Sequence, residues 1–225
     1  MGKIFVIDGT DGSGKQTQFE LLKSAFEKNG IDYRAFSFPS YDSPSSSLVK
    51  MYLAGEFGKN AKDVSPYIAS TFYAADRYAT YKKEIEEYYN NGGIVLLDRY
   101  TTANMVHQAG KISDPVERKK FLDWLWDFEF NLYKLPIPNK VFFLNMPPKY
   151  ALKLMENREN KITHEQQKDI HERDKNHIID SYNAACALVN EYGWTEINCI
   201  KNEEIRSIED IHEEIYNKVM ECINI

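Results

Sequence analysis

The chain has 225 residues and a mass of 26.2 kDa, with 43% hydrophobic, 28% charged and 13% aromatic positions and a formal net charge of -6. That length holds one large domain or two small ones, and the aromatic content excludes an intrinsically disordered chain, which lacks the apolar area to offset its ordering entropy. A pI near 5.5 argues against broad polyanion binding, so nucleic acid is not an expected partner and any anionic ligand must be held by local geometry.

Lys3 to Asp8 is a short apolar run that meets Gly9, the pattern of a buried strand. Thr17 to Asn29 carries Phe19, Leu22 and Phe26 at helical spacing, and Gly30 follows as a C-terminal cap. Asp32 to Phe38 predicts a second strand stopped by Pro39, and Ser40 to Ser47 predicts a loop. Ser65 suits an N-cap and Pro66 a first helical position, opening one long helix that runs to about Asn90 and ends at Gly92-Gly93. Ile94 to Asp98 and Val141 to Leu144 are further strand candidates, with a weaker one at Trp194 to Ile200. Strands alternating with helices specify crossover units and a parallel sheet, so the fold class is α/β. No repeat or low-complexity linker divides the chain, which predicts one domain over 1–225.

Cys186, Cys199 and Cys222 are too few and too far apart for a disulfide framework and fit a reducing cytoplasm. No apolar run approaches the ~18–20 residues of a membrane span, and the first residues lack the pattern of a secretory signal. No membrane partner is expected.

The most specific feature is Gly9-Thr10-Asp11-Gly12-Ser13-Gly14-Lys15, which fits the first seven places of the phosphate-loop pattern. Glycines let successive amides turn inward as a nest for phosphate oxygens, and the following helix presents its positive end to the same anion. Lys15 is placed to reach the β- and γ-phosphates of ATP. Gln16 stands where the pattern has Ser or Thr to bind Mg²⁺, and Thr17 after it is placed to hydrogen-bond a phosphate. Gly9 to Thr17 is therefore the expected ATP-binding segment. Asp98-Arg99-Tyr100 caps a strand, and ligands of parallel sheets sit outside the carboxyl ends of strands. An acid there holds Mg²⁺, directly or through water, and an adjacent arginine neutralises charge on a transferring phosphoryl group.

The phosphate loop, Phe38-Pro39, Phe72-Tyr73-Ala74-Ala75-Asp76-Arg77 and Asp98-Arg99-Tyr100, in that order and at those separations, resemble the thymidylate kinase family. The resemblance covers nearly the whole chain. It implies a three-layer P-loop kinase fold with a five-stranded parallel sheet flanked by helices and a helical lid over about 156–173. It also implies transfer of the ATP γ-phosphoryl to dTMP, Mg²⁺ as cofactor, and a homodimer. By the resemblance Lys15, Arg99, Asp11 and Arg158 would be catalytic. Lys15 would bind the transferring phosphate, Asp11 would stand near the acceptor sugar and phosphate, Arg99 would bridge the two phosphates, and Asp98 would lie near the magnesium. The acceptor site would comprise Asp11, Phe38, Pro39, Tyr41, Phe72, Arg77, Arg99, Asn104, His107 and Gln108. Among these, Phe72 would stack on thymine, Arg77 would donate to a base carbonyl, and Asn104 and Gln108, one helical turn apart, would face the base.

Two positions depart from the family pattern. Ser40, followed by Tyr41, stands where many members have a basic residue, and His107 stands where a tyrosine is usual. They leave open a related kinase for another nucleotide or nucleoside, and Gln16 leaves open a catalytically weak nucleotide-binding homologue. A GTPase-like switch is disfavoured, because Asn139-Lys140-Val141 is followed by Phe142 where a guanine-reading carboxylate is needed. Residues 151–180 hold six Lys/Arg and seven Asp/Glu, which read mostly as a solvated helical face. Gly12 occupies the loop position where some members carry an arginine. The resemblance therefore assigns the missing cation to the lid, with Arg158 ahead of Lys161 and Arg173.

Overall fold

The computed structural model describes residues 1–155 and 175–223. Strands β1 (Lys3–Asp8), β2 (Arg34–Ser37), β3 (Ile94–Asp98), β4 (Lys140–Asn145) and β5 (Thr195–Asn198) form one sheet in the order β2-β3-β1-β4-β5. Every pairing in it is parallel, with Ile7 beside Asp98 and Ser37 beside Asp98 at the carboxyl edge. The reversal of strand order beside β1 opens a crevice there, and β1 leads straight into the phosphate loop.

The strands are apolar at consecutive positions because both faces of the sheet are covered. Phe5, Ile7, Leu96, Phe142 and Leu144 pack on one side against Phe19, Leu22 and Phe26 of α1 (Lys15–Lys28). Ile211, Ile215 and Val219 of the C-terminal helix complete that layer. Ile4, Val6, Val95, Leu97 and Val141 point the other way, against Tyr81, Ile85, Tyr89, Tyr100 and Phe130. A fully buried side chain of this size contributes ~1.5–3 kcal/mol by transfer from water, so the two layers together hold the sheet rigid.

The structure differs from the sequence expectations in three places. The loop predicted at 40–47 closes earlier: Ser43 caps a 3-10 turn at Pro44–Ser46, and helix α2 (Ser47–Leu53) starts at Ser47. The cap bond from the Ser45 amide to the Ser43 hydroxyl turns a serine run into a helix start. The long helix from Pro66 is interrupted: α3 (Pro66–Thr80) passes through a π turn (Tyr81–Ile85) into α4 (Glu86–Asn90). Arg77, Tyr81, Ile85 and Tyr89 are all buried at a spacing of four, and the wider turn takes up the drift that 3.6 residues per turn would accumulate. The strand predicted at Asp32 to Phe38 is shorter, Arg34–Ser37, with the Phe38 amide still donating to the Asp98 carbonyl at 3.0 Å and the Asp32 side chain accepting from the Tyr88 hydroxyl at 2.9 Å.

The remaining elements follow in order. Helix α5 (Thr101–His107) comes directly after β3, and a 3-10 turn (Ala109–Lys111) extends it. Helix α6 (Pro115–Trp126) runs into a second π turn (Asp127–Leu132) before β4. Helices α7 (Pro148–Met155) and α8 (Lys175–Glu191) lie between β4 and β5. A hairpin of β6 (Ile200–Lys201) and β7 (Glu204–Ile205) precedes α9 (Ile208–Ile223). The lid expected over about 156–173, with Arg158, Lys161 and Arg173, lies outside the described residues. Among the described residues no helix is long and apolar enough to cross a membrane.

Candidate active site

The loop after β1 is wound through left-handed backbone positions that favour glycine. Gly12 has φ 79°, and a Cβ on it would stand 2.5 Å from the Ala151 carbonyl oxygen of α7. Gly14 at φ 86° then turns the chain into α1. Asp8 seals the base of the loop: the Gly9 amide donates to its Oδ1 at 2.8 Å, and the Thr102 hydroxyl of α5 donates to Oδ2. Burial raises the Asp8 pKa, with Arg99 opposing. Lys15 folds back over the loop, donating to the Thr10 carbonyl at 2.9 Å, with Asp11 at 3.9 Å. Burial first, and the charge of Arg99 second, push its pKa down to about 7. An incoming polyphosphate would restore the charge. Gln16 and Thr17 are exposed on the first turn of α1, whose free amides open towards the same space.

Arg99 adopts φ 66°, left-handed backbone that a residue with a Cβ rarely enters and that costs of order 1–3 kcal/mol. The turn throws its side chain back across the strand ends. Its Nη2 donates to Asp11 Oδ1, its Nη1 lies 2.8 Å from His107 Nε2, and Asp8 stands 3.9 Å away. Burial works against its charge, but Asp11, Asp8 and Asp98 outweigh it and raise its pKa. Arg99 thus stays a fixed cation between the phosphate loop and α5.

Asp98 fits a divalent-cation role by an unmet need. Its Oδ2 accepts from the Ser37 hydroxyl at 3.1 Å, while its buried Oδ1 has no hydrogen-bond partner. A buried carboxylate oxygen without a donor is costly, and a hydrated magnesium would satisfy it. Among the described residues no group of three His, Cys, Asp or Glu is arranged to hold a metal. Mg²⁺ is typically held by one or two carboxylates, substrate phosphates and waters, a set to which Asp98 could contribute.

The opposite side of the crevice is lined by α3 and α5. Asn104 and Gln108 are buried on one face of α5, where Asn104 Nδ2 donates to the Ser70 carbonyl at 3.4 Å. Gln108 Oε1 and Ser70 Oγ are buried there without hydrogen-bond partners. Phe72 packs against Phe57 (5.6 Å between centroids) and Tyr52 (6.4 Å). Tyr73, not Phe72, stands one helical turn before Arg77 and shares its face, since i and i+4 align on a helix. Phe38 is buried against Tyr100, so it acts by setting the path of Pro39 to Tyr41. Asp76 fixes that path, accepting from the Ser40 amide at 2.7 Å and the Ser45 hydroxyl at 2.5 Å. Tyr41 lies close to Arg99.

Arg77 is 1% exposed and forks onto Glu129, which accepts from Nε at 2.6 Å and Nη2 at 2.5 Å; Thr101 also donates to Glu129 at 2.8 Å. Two of the three guanidinium nitrogens are thereby committed, leaving Nη1, 3.5 Å from the Tyr100 carbonyl, for any further acceptor. Asp8, Ser70, Thr102 and Glu129 were not singled out from sequence. Glu129 had only a weak signal: it and Asp127 are the two carboxylates inside Trp124-Leu125-Trp126-Asp127-Phe128-Glu129-Phe130, and of the two only Glu129 is buried and paired.

Comparisons with known proteins give the family. The family model described as thymidylate kinase matches residues 7–215. The chain belongs to the thymidylate kinase family. It is 27% identical over 221 residues to thymidylate kinase of Plasmodium falciparum, covering 97% of this chain and 90% of that protein. A probable thymidylate kinase of Thermococcus gammatolerans is 26% identical over 221 residues, covering 97% and 96%. The solved structure of thymidylate kinase from Candida albicans superposes with a TM-score of 0.70 at 17% identity, covering 99% of this chain and 93% of that one. The chain is accordingly a kinase, an enzyme of phosphoryl transfer.

Proposed function

We infer that this kinase transfers the γ-phosphoryl group of ATP to the 5′-phosphate of dTMP, giving dTDP and ADP. The observation that carries the reading is the position of Arg99. Its guanidinium reaches Asp11 of the phosphate loop on one side and His107 of the acceptor wall on the other. A cation there is shared by donor and acceptor phosphates, whose mutual repulsion is the main obstacle to bringing them in line.

In this reading Gly9 to Thr17 cradle the ATP phosphates, with Lys15 on the transferring group. Asp11 orients Arg99 and meets the acceptor sugar and phosphate. Tyr41, on the path set by Phe38 and Pro39, faces the acceptor phosphate. Phe72 or its neighbour Tyr73 supplies the ring beneath the pyrimidine. Arg77, Asn104 and Gln108 read the base edge, and His107 lies beside the sugar. The unmatched oxygens of Gln108 and Ser70 support a polar ligand edge at this wall. Asp98 would hold Mg²⁺, directly or through water, and the ion would neutralise phosphate charge when bound. No protein nucleophile is required, because the acceptor phosphate is already ionised at neutral pH.

Gly12 supports a lid cation. Its Cα is so close to α7 that an arginine at this place would collide with the Ala151 carbonyl. The charge that some relatives place in the loop is thus assigned to the lid, with Arg158 as the candidate. Closure of the lid keeps out water that would otherwise compete as acceptor.

The enzyme is further read as a cytoplasmic homodimer. Cys186, Cys199 and Cys222 are all free, which fits a reducing compartment. An aromatic ladder runs from Tyr67 through Trp124 and Phe128 to Tyr133 and Tyr78. Tyr67, Tyr78 and Leu132 along it are exposed, the composition of a helix face that pairs with a second copy. Light scattering at micromolar concentration should return twice 26.2 kDa.

The test of the activity is ADP release with dTMP, dUMP, dGMP or thymidine as acceptor. The expected profile is strongest with dTMP. Release with none of the four above the ATP-only rate would refute the assignment.

A further inference from the structure

Lys111 is 9% exposed, and among the described residues no carboxylate pairs with it. Burial alone pushes its pKa down to about 7. Taking an ammonium out of water without a counter-ion is unfavourable, and an apolar side chain of the same length would avoid that cost. What the amine makes in return is two hydrogen bonds, to the Tyr52 hydroxyl at 2.7 Å and the Val64 carbonyl at 3.3 Å.

Those partners belong to other elements than the one that carries Lys111. Lys111 closes the 3-10 turn that continues α5; Asn104 lies on that helix and Gln108 caps its end. Tyr52 belongs to α2 and is 1% exposed, and its ring supports both aromatics of the α3 wall. Phe72 is tilted against it at 6.4 Å and Tyr73 meets it edge-on at 6.3 Å. Val64 ends the connection from α2 to α3. A single amine therefore ties the polar wall of the pocket to the support of its aromatic wall.

We propose that Lys111, acting through the Tyr52 hydroxyl, is a positioning residue for acceptor binding: it sets the separation between the α3 rings and the α5 amides into which a pyrimidine base must fit. The proposal rests on the acceptor reading given above. It assigns Lys111 no contact with the nucleotide, and no part in ATP binding or in the transfer itself.

The test is a cycle of Lys111→Met, Tyr52→Phe and the double variant, read as KM for dTMP, KM for ATP, kcat and Tm. Loss of a hydrogen bond that organises a site predicts a roughly three- to tenfold rise in dTMP KM for each single variant. The double variant should be no worse than the poorer single one, since both remove the same bond. ATP KM and kcat should stay within about twofold. A purely structural lysine lowers Tm and the active fraction without moving dTMP KM, and that result overturns the proposal. So does additivity in the double variant. Tyr52→Phe removes only an oxygen, so it reads the bond even where Lys111→Met does not fold, and an unchanged dTMP KM in it is decisive against. A wild-type chain without dTMP turnover overturns the acceptor reading itself, an outcome distinct from both.

Discussion

At the scale of single residues, the site is governed by charges that have been moved into the protein and made to wait. Lys15, with its pKa pushed down to about 7 by burial and by Arg99, is only partly charged near neutrality until a polyphosphate arrives. ATP binding above pH 7 should therefore take up a proton, detectable as a buffer-dependent binding enthalpy; a heat independent of buffer would contradict it. Lys15→Ala should cut turnover more than tenfold, since a charged contact to the transition state typically contributes over ~1.4 kcal/mol. Arg77 and Glu129 show the opposite arrangement, a buried pair already satisfied. Glu129→Gln strands a buried guanidinium and is expected to destabilise the fold by ~3–5 kcal/mol in denaturant titration. A loss under about 1 kcal/mol would mean that Arg77 turns elsewhere in solution. The ring beneath the base is settled by comparing Phe72→Ala with Tyr73→Ala: the true platform raises dTMP KM far more than ATP KM.

At the scale of elements, the parallel sheet was legible because both its faces are buried. Lys3 to Asp8, Ile94 to Asp98 and Val141 to Leu144 read as continuous apolar runs without needing any partner to be known. The phosphate loop and the Asp98-Arg99 strand end were legible because their chemistry is local. The two π turns were not, since Arg77-Tyr81-Ile85 and Phe121-Leu125-Glu129 keep an i, i+4 pattern that an unbroken helix also shows. Glu129 reaches Arg77 because of that wider turn, so the ion pair was hidden along with it. Lys111 was hidden for a different reason: its burial depends on Tyr52 and Val64, 59 and 47 residues away. The contact of Gly12 with α7 is likewise non-local, and it carries a prediction. Gly12→Ala must accept both a left-handed backbone, at ~1–2 kcal/mol, and a Cβ at 2.5 Å from the Ala151 carbonyl. Because Gly12 lies in the loop expected to cradle the ATP phosphates, ATP KM should rise several-fold while dTMP KM changes little. Equal rises in both would show a loop that fails as a whole.

At the scale of the molecule, the buried lysines link stability to pH. Lys111 and Lys15 each have a folded-state pKa of about 7 against an ordinary value of 10.5. Between those values the unfolded chain binds more protons than the folded one, so stability rises with pH across the window and is flat below it. The slope is up to ~1.4 kcal/mol per pH unit for each lysine. Unfolding free energies measured by denaturant between about pH 7 and 9 should therefore climb in the wild type. Lys111→Met removes one of the two groups and should roughly halve the climb, while being more stable than the wild type at the acidic end, where the desolvation cost is fully felt. Undiminished pH dependence in that variant would mean that Lys111 keeps its proton in the folded state. The same measurement bears on function: a lysine kept at a stability cost, whose removal raises stability and weakens dTMP binding, is one retained for the shape of the pocket.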